Sequence, residues 1–205
     1  LDISNSSLEP GHNQSIGTLE IESSNSSFQT SDISTNQIPF EIDTTLNSAT
    51  TTSNGSTTYE EYLLNASVPS GFEAGNYPGN LVLSFQDASN IQEPLNLTVK
   101  ERKTWSLTNS TSLQNFSVGE NGDYGALNFE NTGNSKVELR VNTTGNLSEY
   151  ISIDERSNVF PGLEKQLPIQ YQASSDVPFG TYTGEINVTA AGKTEIVELE
   201  TEVLD

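Results

Sequence analysis

The residues of this sequence whose type and spacing could support chemistry are its asparagines. Eleven of them begin an Asn-x-Ser/Thr triplet without proline in the middle, which is the acceptor sequence for N-linked glycans. Roughly five such triplets would arise by chance from this content of Asn, Ser and Thr. The candidate glycosylation sites are Asn5, Asn13, Asn25, Asn54, Asn65, Asn96, Asn109, Asn115, Asn142, Asn146 and Asn187. We therefore expect a glycoprotein.

Residues that commonly carry catalysis are scarce. His12 is the only histidine and lies in a polar N-terminal segment, where we expect neither a Ser-His-Asp triad nor a histidine-bound metal centre. The carboxylates that stand close together in sequence are Glu60 with Glu61, and the alternating series Glu198, Glu200 and Glu202. Paired carboxylates can perform glycosidase chemistry, but alternation along one strand is typical of a solvated face. We expect no enzyme activity, no catalytic residue and no cofactor.

The chain is strongly acidic. Its 28 Asp and Glu residues against 8 Lys and Arg give a net charge of −20. A phosphate backbone or an anionic membrane surface would be repelled, which excludes nucleic acid and such membranes as ordinary partners. This balance is typical of a protein kept soluble by its charge, and cation binding is the alternative. Calcium at Glu120, Asp123 or Asp154 has weak support, because no EF-hand-like spacing surrounds them.

Cysteine and methionine are both absent. Without cysteine there is no disulfide framework, no zinc–thiolate site and no thiol nucleophile. Because position 1 is Leu, we expect a chain that begins after a processing site or was excised from a longer one. No apolar stretch approaches the roughly 20 residues of a membrane span, so we expect no direct membrane insertion.

The sequence contains an internal repeat. The segment Gly17-Thr-Leu-Glu-Ile-Glu returns 108 positions later as Gly125-Ala-Leu-Asn-Phe-Glu. Likewise Gly75-Asn-Tyr-Pro-Gly returns 105 positions later as Gly180-Thr-Tyr-Thr-Gly. Two matches at nearly equal offsets indicate a duplication. We predict two domains, residues 1–101 and 102–205, joined at the basic cluster Lys100–Lys103, which is either a solvated joint or a binding patch.

Alternation with a period of two predicts strands throughout, and no segment has helical apolar spacing over two turns. The second half shows seven short strands, with turns at Glu120–Asp123, Asn131–Asn134 and Pro161-Gly162. The side chains predicted to face inward there are Phe116, Val118, Leu127, Phe129, Val137, Leu139, Val141, Ile151, Ile153, Leu167, Ile169, Tyr171, Ile186, Val188, Val197, Leu199 and Val203. By the same alternation Asn96, Asn115, Asn142 and Asn187 face outward. The predicted fold class is therefore all-β, with two tandem antiparallel β-sandwich domains.

The second half carries a recognisable order of motifs. Pro161-Gly162 is followed by an alternating strand, then by Val177-Pro178 and by Gly180-Thr-Tyr182-Thr-Gly184. This order resembles the immunoglobulin-like domains of prokaryotic, especially archaeal, cell-surface and filament proteins, and the first half shares it in part. The resemblance implies two tandem immunoglobulin-like antiparallel β-sandwich domains in an extracellular, cell-surface setting, and it does not imply a particular partner. Tyr77 and Tyr182 stand where sandwich domains often place a structural corner tyrosine.

Similar surface domains can carry a covalent Lys–Asn cross-link in place of disulfides. In this chain the amine could come from Lys100, Lys103, Lys136, Lys165 or Lys193.

Two further segments bear on assembly. Leu1, Asp2 and Ile3 form a candidate donor strand, and the alternative is the first strand of their own domain. Thr44–Thr58, rich in Thr, Ser and Asn, is predicted to be a long exposed loop.

The leading hypothesis is a structural glycoprotein of the cell surface. We expect the repeating subunit of an extracellular, pilus-like filament, assembled from copies of itself end to end or by strand addition. The alternative is an adhesive or carbohydrate-binding spacer module of a larger surface protein or viral spike, with other surface proteins as partners. The aromatic residues weigh against a sugar platform, because Trp105, Phe129 and Tyr171 fall at inward or junction positions.

Overall fold

The computed structural model describes residues 1–24, 30–51, 57–86, 88–111 and 115–204. It is all-β, which confirms the predicted fold class, and the ladders are antiparallel except for two short parallel pairings. The one helical element of the described residues is a 3-10 turn at Asn146–Glu149. No helix in this part of the chain is long and apolar enough to cross a membrane.

The chain divides into two compact units, Leu1–Glu101 and Arg102–Asp205. The division falls inside the basic cluster Lys100–Lys103. Each unit has its own apolar core, and the two are described separately below. That each unit folds as an independent domain stays a prediction.

The first unit is a sandwich of two four-stranded sheets, ordered β1-β3-β6-β5 and β2-β8-β7-β4. Its strands are β1 (Asp2–Ile3), β2 (Ser7–Leu8), β3 (Asn13–Ser23), β4 (Thr30–Asn36), β5 (Glu41–Thr51), β6 (Thr58–Ser67), β7 (Gly75–Phe85) and β8 (Ile91–Val99). Alternate residues of the strands point between the sheets, so Leu64 and Ala66 on β6 meet Leu81 and Leu83 of β7 in one core.

The second unit repeats this plan with a four-stranded sheet, β13-β15-β11-β9, and a five-stranded sheet, β10-β17-β16-β12-β14. Its strands are β9 (Trp105–Asn109), β10 (Phe116–Ser117), β11 (Asn121–Asn131), β12 (Val137–Gly145), β13 (Ile151–Ser152), β14 (Arg156–Val159), β15 (Glu164–Gln172), β16 (Gly180–Ala190) and β17 (Lys193–Leu204). The prediction of seven strands is therefore wrong by two among the described residues, because β9 and β14 were missed.

The predicted core of the second unit is confirmed. Of its seventeen members, all are buried except Val118 and Ile153, which are half-buried and pack against the same cluster. The same cluster also contains Trp105, Tyr124, Leu147, Val159, Ala173, Val177 and Ala190. The ring of Trp105 is stacked on Phe129 at 5.1 Å between ring centroids. The turn predicted at Glu120–Asp123 lies slightly earlier, at Val118–Gly119, because Asn121 already pairs with Gln172 in the β11–β15 ladder.

The repeated glycines mark equivalent β-bulges. On β3 the register with β6 shifts between Ser15 and Gly17, and on β11 the register with β15 shifts between Asp123 and Gly125. Both glycines have positive φ, 154° for Gly17 and 115° for Gly125. A Cβ atom at Gly17 would clash with the carbonyl oxygen of Asp2, so glycine is required where β1 pairs with β3.

The predicted loop Thr44–Thr58 is wrong over its first half. Thr44–Thr51 belongs to β5, an edge strand that pairs with β6 from Glu41 to Thr51. A strand at the edge of a sheet is held by backbone hydrogen bonds and needs little apolar content, and Thr favours extended backbone. Residues 52–56 of that segment, including Asn54 and Gly55, lie outside the described residues.

Candidate glycan-attachment surface

The described sequons of the first unit lie on both sheets. Asn13 and Asn96 are exposed on β3 and β8, and Asn65 is half-buried on β6 between Ser15 and Asp43 of its neighbouring strands. Asn5, half-buried between β1 and β2, is described below. Asn25 and Asn54 lie outside the described residues.

In the second unit the sequons gather on one sheet. Asn142 lies on β12, Asn187 on β16, Asn115 directly before β10 and Asn146 directly after β12. Three of these side chains are exposed and Asn187 is half-buried. The opposite sheet carries Asn109, at the exposed end of β9. The face of β10-β17-β16-β12-β14 is therefore the one that glycans would cover.

Some of the sequon asparagines on the strands lie between core residues. Asn96 lies between the buried Leu95 and Leu97, and Asn187 lies between the buried Ile186 and Val188. This alternation points the asparagine and the hydroxyl residue two positions later to the same outer face. Strand geometry thus presents both functional groups of the sequon together.

Several sequon side chains are oriented by hydrogen bonds through their amide oxygen. The Oδ1 atom of Asn109 accepts a bond from the backbone N–H of Thr111 at 2.8 Å, and Oδ1 of Asn146 accepts one from Thr183 at 2.8 Å. The backbone N–H of Ser7 donates to Oδ1 of Asn5 at 3.1 Å. These bonds engage the oxygen and not Nδ2, the atom to which a glycan is attached.

Asn142 and Asn187 are direct cross-strand partners in the β12–β16 ladder. The Cβ atoms of directly opposed residues in an antiparallel pair are about 5 Å apart. Two sequons therefore share one small area of the sheet, which sequence spacing alone did not reveal.

The two repeated tyrosines make the same hydrogen bond. The hydroxyl of Tyr77 donates to the carbonyl oxygen of Glu73 at 2.8 Å, and that of Tyr182 donates to the carbonyl oxygen of Pro178 at 2.9 Å. Partial burial of each ring raises the pKa of both phenols above 10.0, so both hydroxyls remain donors at neutral pH. The hydrogen bond of Tyr77 stabilises the turn that leads into β7, and that of Tyr182 stabilises the turn that leads into β16.

A third tyrosine, Tyr124, was missed by sequence reasoning. Its ring is fully buried, and its hydroxyl donates to the carbonyl oxygen of Glu200 at 2.5 Å, linking β11 to β17 of the opposite sheet. Burial is the main cause that raises the pKa of this phenol. The bulge before Gly125 turns Tyr124 inward, although strict alternation with Leu127 would place it outside.

The carboxylates considered for calcium make other contacts. Glu120 accepts a hydrogen bond from the backbone N–H of Ser117 at 3.2 Å, and Asp154 pairs with Lys165 at 3.1 Å. Asp123 lies exposed on β11. No group of three or more Asp, Glu or His side chains in the described part of the chain could hold a metal ion.

The remaining candidates for chemistry lie apart from one another. His12 is exposed, with Nδ1 3.1 Å from the carbonyl oxygen of Pro10. Oε2 of Glu60 accepts bonds from Thr30 and Tyr62, whereas Glu61 faces the other side of β6 and accepts one from Asn47. The series Glu198, Glu200 and Glu202 is exposed along β17.

The lysines considered for a Lys–Asn cross-link lie at the surface. Lys100 pairs with Glu9 at 2.7 Å and Lys193 pairs with Glu195, while Lys103 and Lys136 are exposed. Lys165 is half-buried and binds Asp154. The amines of Lys100, Lys165 and Lys193 thus form ion pairs with carboxylates, and the Lys193 amine also lies 4.7 Å from the centroid of the Trp105 ring.

The candidate donor strand pairs within its own sandwich. Asp2 lies opposite Thr18 and Ile3 opposite Gly17, so β1 is the first strand of the sheet β1-β3-β6-β5. This is the alternative that the sequence left open. Donation of Leu1–Ile3 to another molecule would require β1 to leave this pairing.

No family model matches the chain, and no similar protein was found among the curated proteins. Similar solved structures include a protein of unknown function from Porphyromonas gingivalis W83, 15% identical, with a TM-score of 0.37 and 98% of each chain covered. Domains 4 and 5 of the S-layer protein SbsC are 12% identical, with a TM-score of 0.33 and 68% of each chain covered. Mouse clustered PcdhgC3 EC1-3 is 14% identical, with a TM-score of 0.38, 98% of this chain and 66% of that chain covered. The fold assignment rests on the strand pairing described above.

Proposed function

We propose that this chain is an extracellular structural glycoprotein of the cell surface and the repeating subunit of a filament built from copies of itself. The observation that carries the proposal is the placement of the sequons. Strand alternation presents Asn96, Asn142 and Asn187 on outer sheet faces, with buried neighbours on both sides of Asn96 and Asn187. Glycans at these positions would cover the faces and leave strand edges and unit ends for contact between copies.

The charge limits where copies of the chain can meet. A chain with a net charge of −20 repels its own copies, and salt screens this repulsion beyond about 8–10 Å. Contacts between subunits are therefore least opposed at uncharged segments.

One observation favours the alternative of a carbohydrate-binding spacer module. A polar groove of the second unit is lined by the half-buried Tyr150 together with Asp123, Gln170 and Gln172. Such side chains hydrogen-bond sugars well. The aromatic residues Trp105 and Phe129 are buried, so they offer no stacking platform there.

The proposal is tested on material from the native cell surface. Glycopeptide mass spectrometry should find glycans at Asn96 and Asn142, and negative-stain electron microscopy of the same material should show polymers of this chain. Removal of Leu1–Ser7 tests the mode of assembly, since strand donation predicts loss of polymers and end-to-end contact predicts their retention. An unglycosylated chain that remains monomeric at all concentrations would overturn the proposal.

A further inference from the structure

The edge strand β5 differs from the corresponding edges of the second unit. It extends over 11 residues, pairs with β6 on one side, and no described strand pairs with its other side. Seven consecutive residues, Thr45–Thr51, are exposed. An exposed edge of this length presents a row of unpaired backbone N–H and C=O groups that can accept another strand.

The second unit has no such edge at the equivalent position. Its strand β13, which pairs with β15 as β5 pairs with β6, has only two residues. Short strands and charged side chains are two common devices that prevent edge-to-edge pairing. Neither device is present from Thr44 to Thr51, where no residue is charged. The long uncharged edge of β5 therefore has no counterpart at β13.

The uncharged segment of β5 is chemically palindromic. A two-fold axis between Asn47 and Ser48 would place each residue of one copy opposite a similar residue of a second copy. The resulting pairs are Thr44 with Thr51, Thr45 with Thr50, Leu46 with Ala49 and Asn47 with Ser48. Threonine pairs at directly opposed positions stabilise antiparallel ladders.

Side-chain parity agrees with this register. In the ladder with β6, Leu46 and Ala49 lie opposite Tyr62 and Glu60, which are on the same face of β6 as the buried Leu64. Thr45 lies opposite Leu63 and Thr50 opposite Tyr59, on the outer face. In a regular strand Leu46 and Ala49, three positions apart, would point to opposite faces. The β-bulge between Leu46 and Ser48 brings both to the same face, as their pairing across the two-fold axis requires.

We propose that β5 pairs with β5 of a second copy of this chain, antiparallel about a two-fold axis between Asn47 and Ser48. This inference rests on the proposed self-association and names one surface that provides it. The pairing joins the sheets β1-β3-β6-β5 of two copies and covers Leu46, which is otherwise 50% exposed. Asp43 and Glu41 fall outside the eight paired positions, so the contact adds no like-charge pair.

The proposed register can be tested by introducing charged side chains at Thr45 and Thr50. In the double variant T45E/T50E, each introduced carboxylate lies directly opposite another across the axis, so dimerisation measured by sedimentation equilibrium should weaken roughly tenfold. The variant T45K/T50K should weaken it as well. An equimolar mixture of the two should form a heterodimer, because opposite charges then face each other. The matched control Q92E/Q166E adds the same charge at exposed positions of β8 and β15 and should associate like the unaltered chain.

Cysteine substitution tests the register without added charge. The chain contains no cysteine, so T45C and T50C each introduce a single thiol. The proposed register predicts disulfide-linked dimers from a mixture of T45C and T50C under mild oxidation, and few from either variant alone.

The outcomes separate the two proposals. If the unaltered chain self-associates and T45E/T50E does so equally, β5 is not the contact surface and the proposed function stands. If the unaltered chain stays monomeric at all concentrations and salt levels, both proposals fail. Circular dichroism spectra matching that of the unaltered chain would show that the variants are folded.

Discussion

Asn142 and Asn187 face each other across the β12–β16 ladder, and each begins a sequon. Glycans on both would start about 5 Å apart and compete for the same volume above the sheet. We expect most molecules to carry a glycan at one of the two sites, with Asn142 favoured because it is exposed and Asn187 is half-buried.

The substitution N142Q should therefore raise glycan occupancy at Asn187. Glycopeptide mass spectrometry measures both occupancies, and N109Q is the control because Asn109 lies on the opposite sheet. Full occupancy of both sites in the unaltered chain would show that the ladder geometry does not limit glycosylation.

The corner tyrosines should contribute equally to stability. Y77F and Y182F each remove a hydroxyl that donates to a turn carbonyl, and each should lower the free energy of unfolding by about 1 kcal/mol. The control is Y59F, because the exposed Tyr59 hydroxyl bonds only the solvated carboxylate of Glu22, and it should change stability by less than about 0.5 kcal/mol. Urea denaturation followed by circular dichroism measures all three. An equal cost for Y59F would remove the special role of the corner position.

Glu138 should make the free energy of unfolding depend on pH in the acidic range. Hydrogen bonds from Arg140 and Arg156 lower the pKa of this carboxyl below its ordinary value of 4.5. A folded-state pKa below the unfolded one gives stability that is present above pH 4.5 and lost as pH falls through the lowered pKa.

Urea denaturation at a series of pH values checks this dependence. The variant E138Q should lose less stability than the unaltered chain on acidification below pH 4.5. The control E164Q, which removes an exposed carboxylate from β15, should follow the unaltered chain. Identical acid profiles for both variants would contradict the assignment.

Each half of the chain should fold alone, because each has its own buried core. Trp105 is the only tryptophan, and its Nε1 donates to the carbonyl oxygen of Ala190 at 2.8 Å, so its fluorescence reports the second unit. A fragment of residues 102–205 should show buried tryptophan emission and a cooperative urea transition. A fragment of residues 1–101 should show a cooperative transition by circular dichroism. Failure of either fragment to fold would contradict independent domains.

Much of the fold could be predicted from the sequence, because most core positions obey simple alternation. Leu127 with Phe129 and Ile186 with Val188 were assigned inward from period two alone, and all four are buried. Tyr124 was missed because the bulge before Gly125 reverses the parity of the strand. The repeated Gly-x-Leu motif was the available signal, since a glycine inside a strand often marks a bulge.

The edge strand β5 and the spatial arrangement of the sequons were harder to predict. Strand β5 lacks apolar alternation from Asn47 onward, and an edge strand is fixed by its neighbour β6 rather than by its own side chains. Sequence identified the sequons individually, but the opposition of Asn142 and Asn187 depends on the register of two strands 45 positions apart. Hydrogen-bond partners such as Asn146 and Thr183 depend on tertiary structure in the same way.

Electron microscopy of intact cells, with gold-labelled antibodies raised against this chain, tests whether the chain forms filaments at the cell surface. Gold particles should be spaced along filaments that extend from the surface, and those filaments should be lost when the gene is deleted. Labelling confined to the cell interior, or filaments that persist unlabelled after deletion, would contradict it.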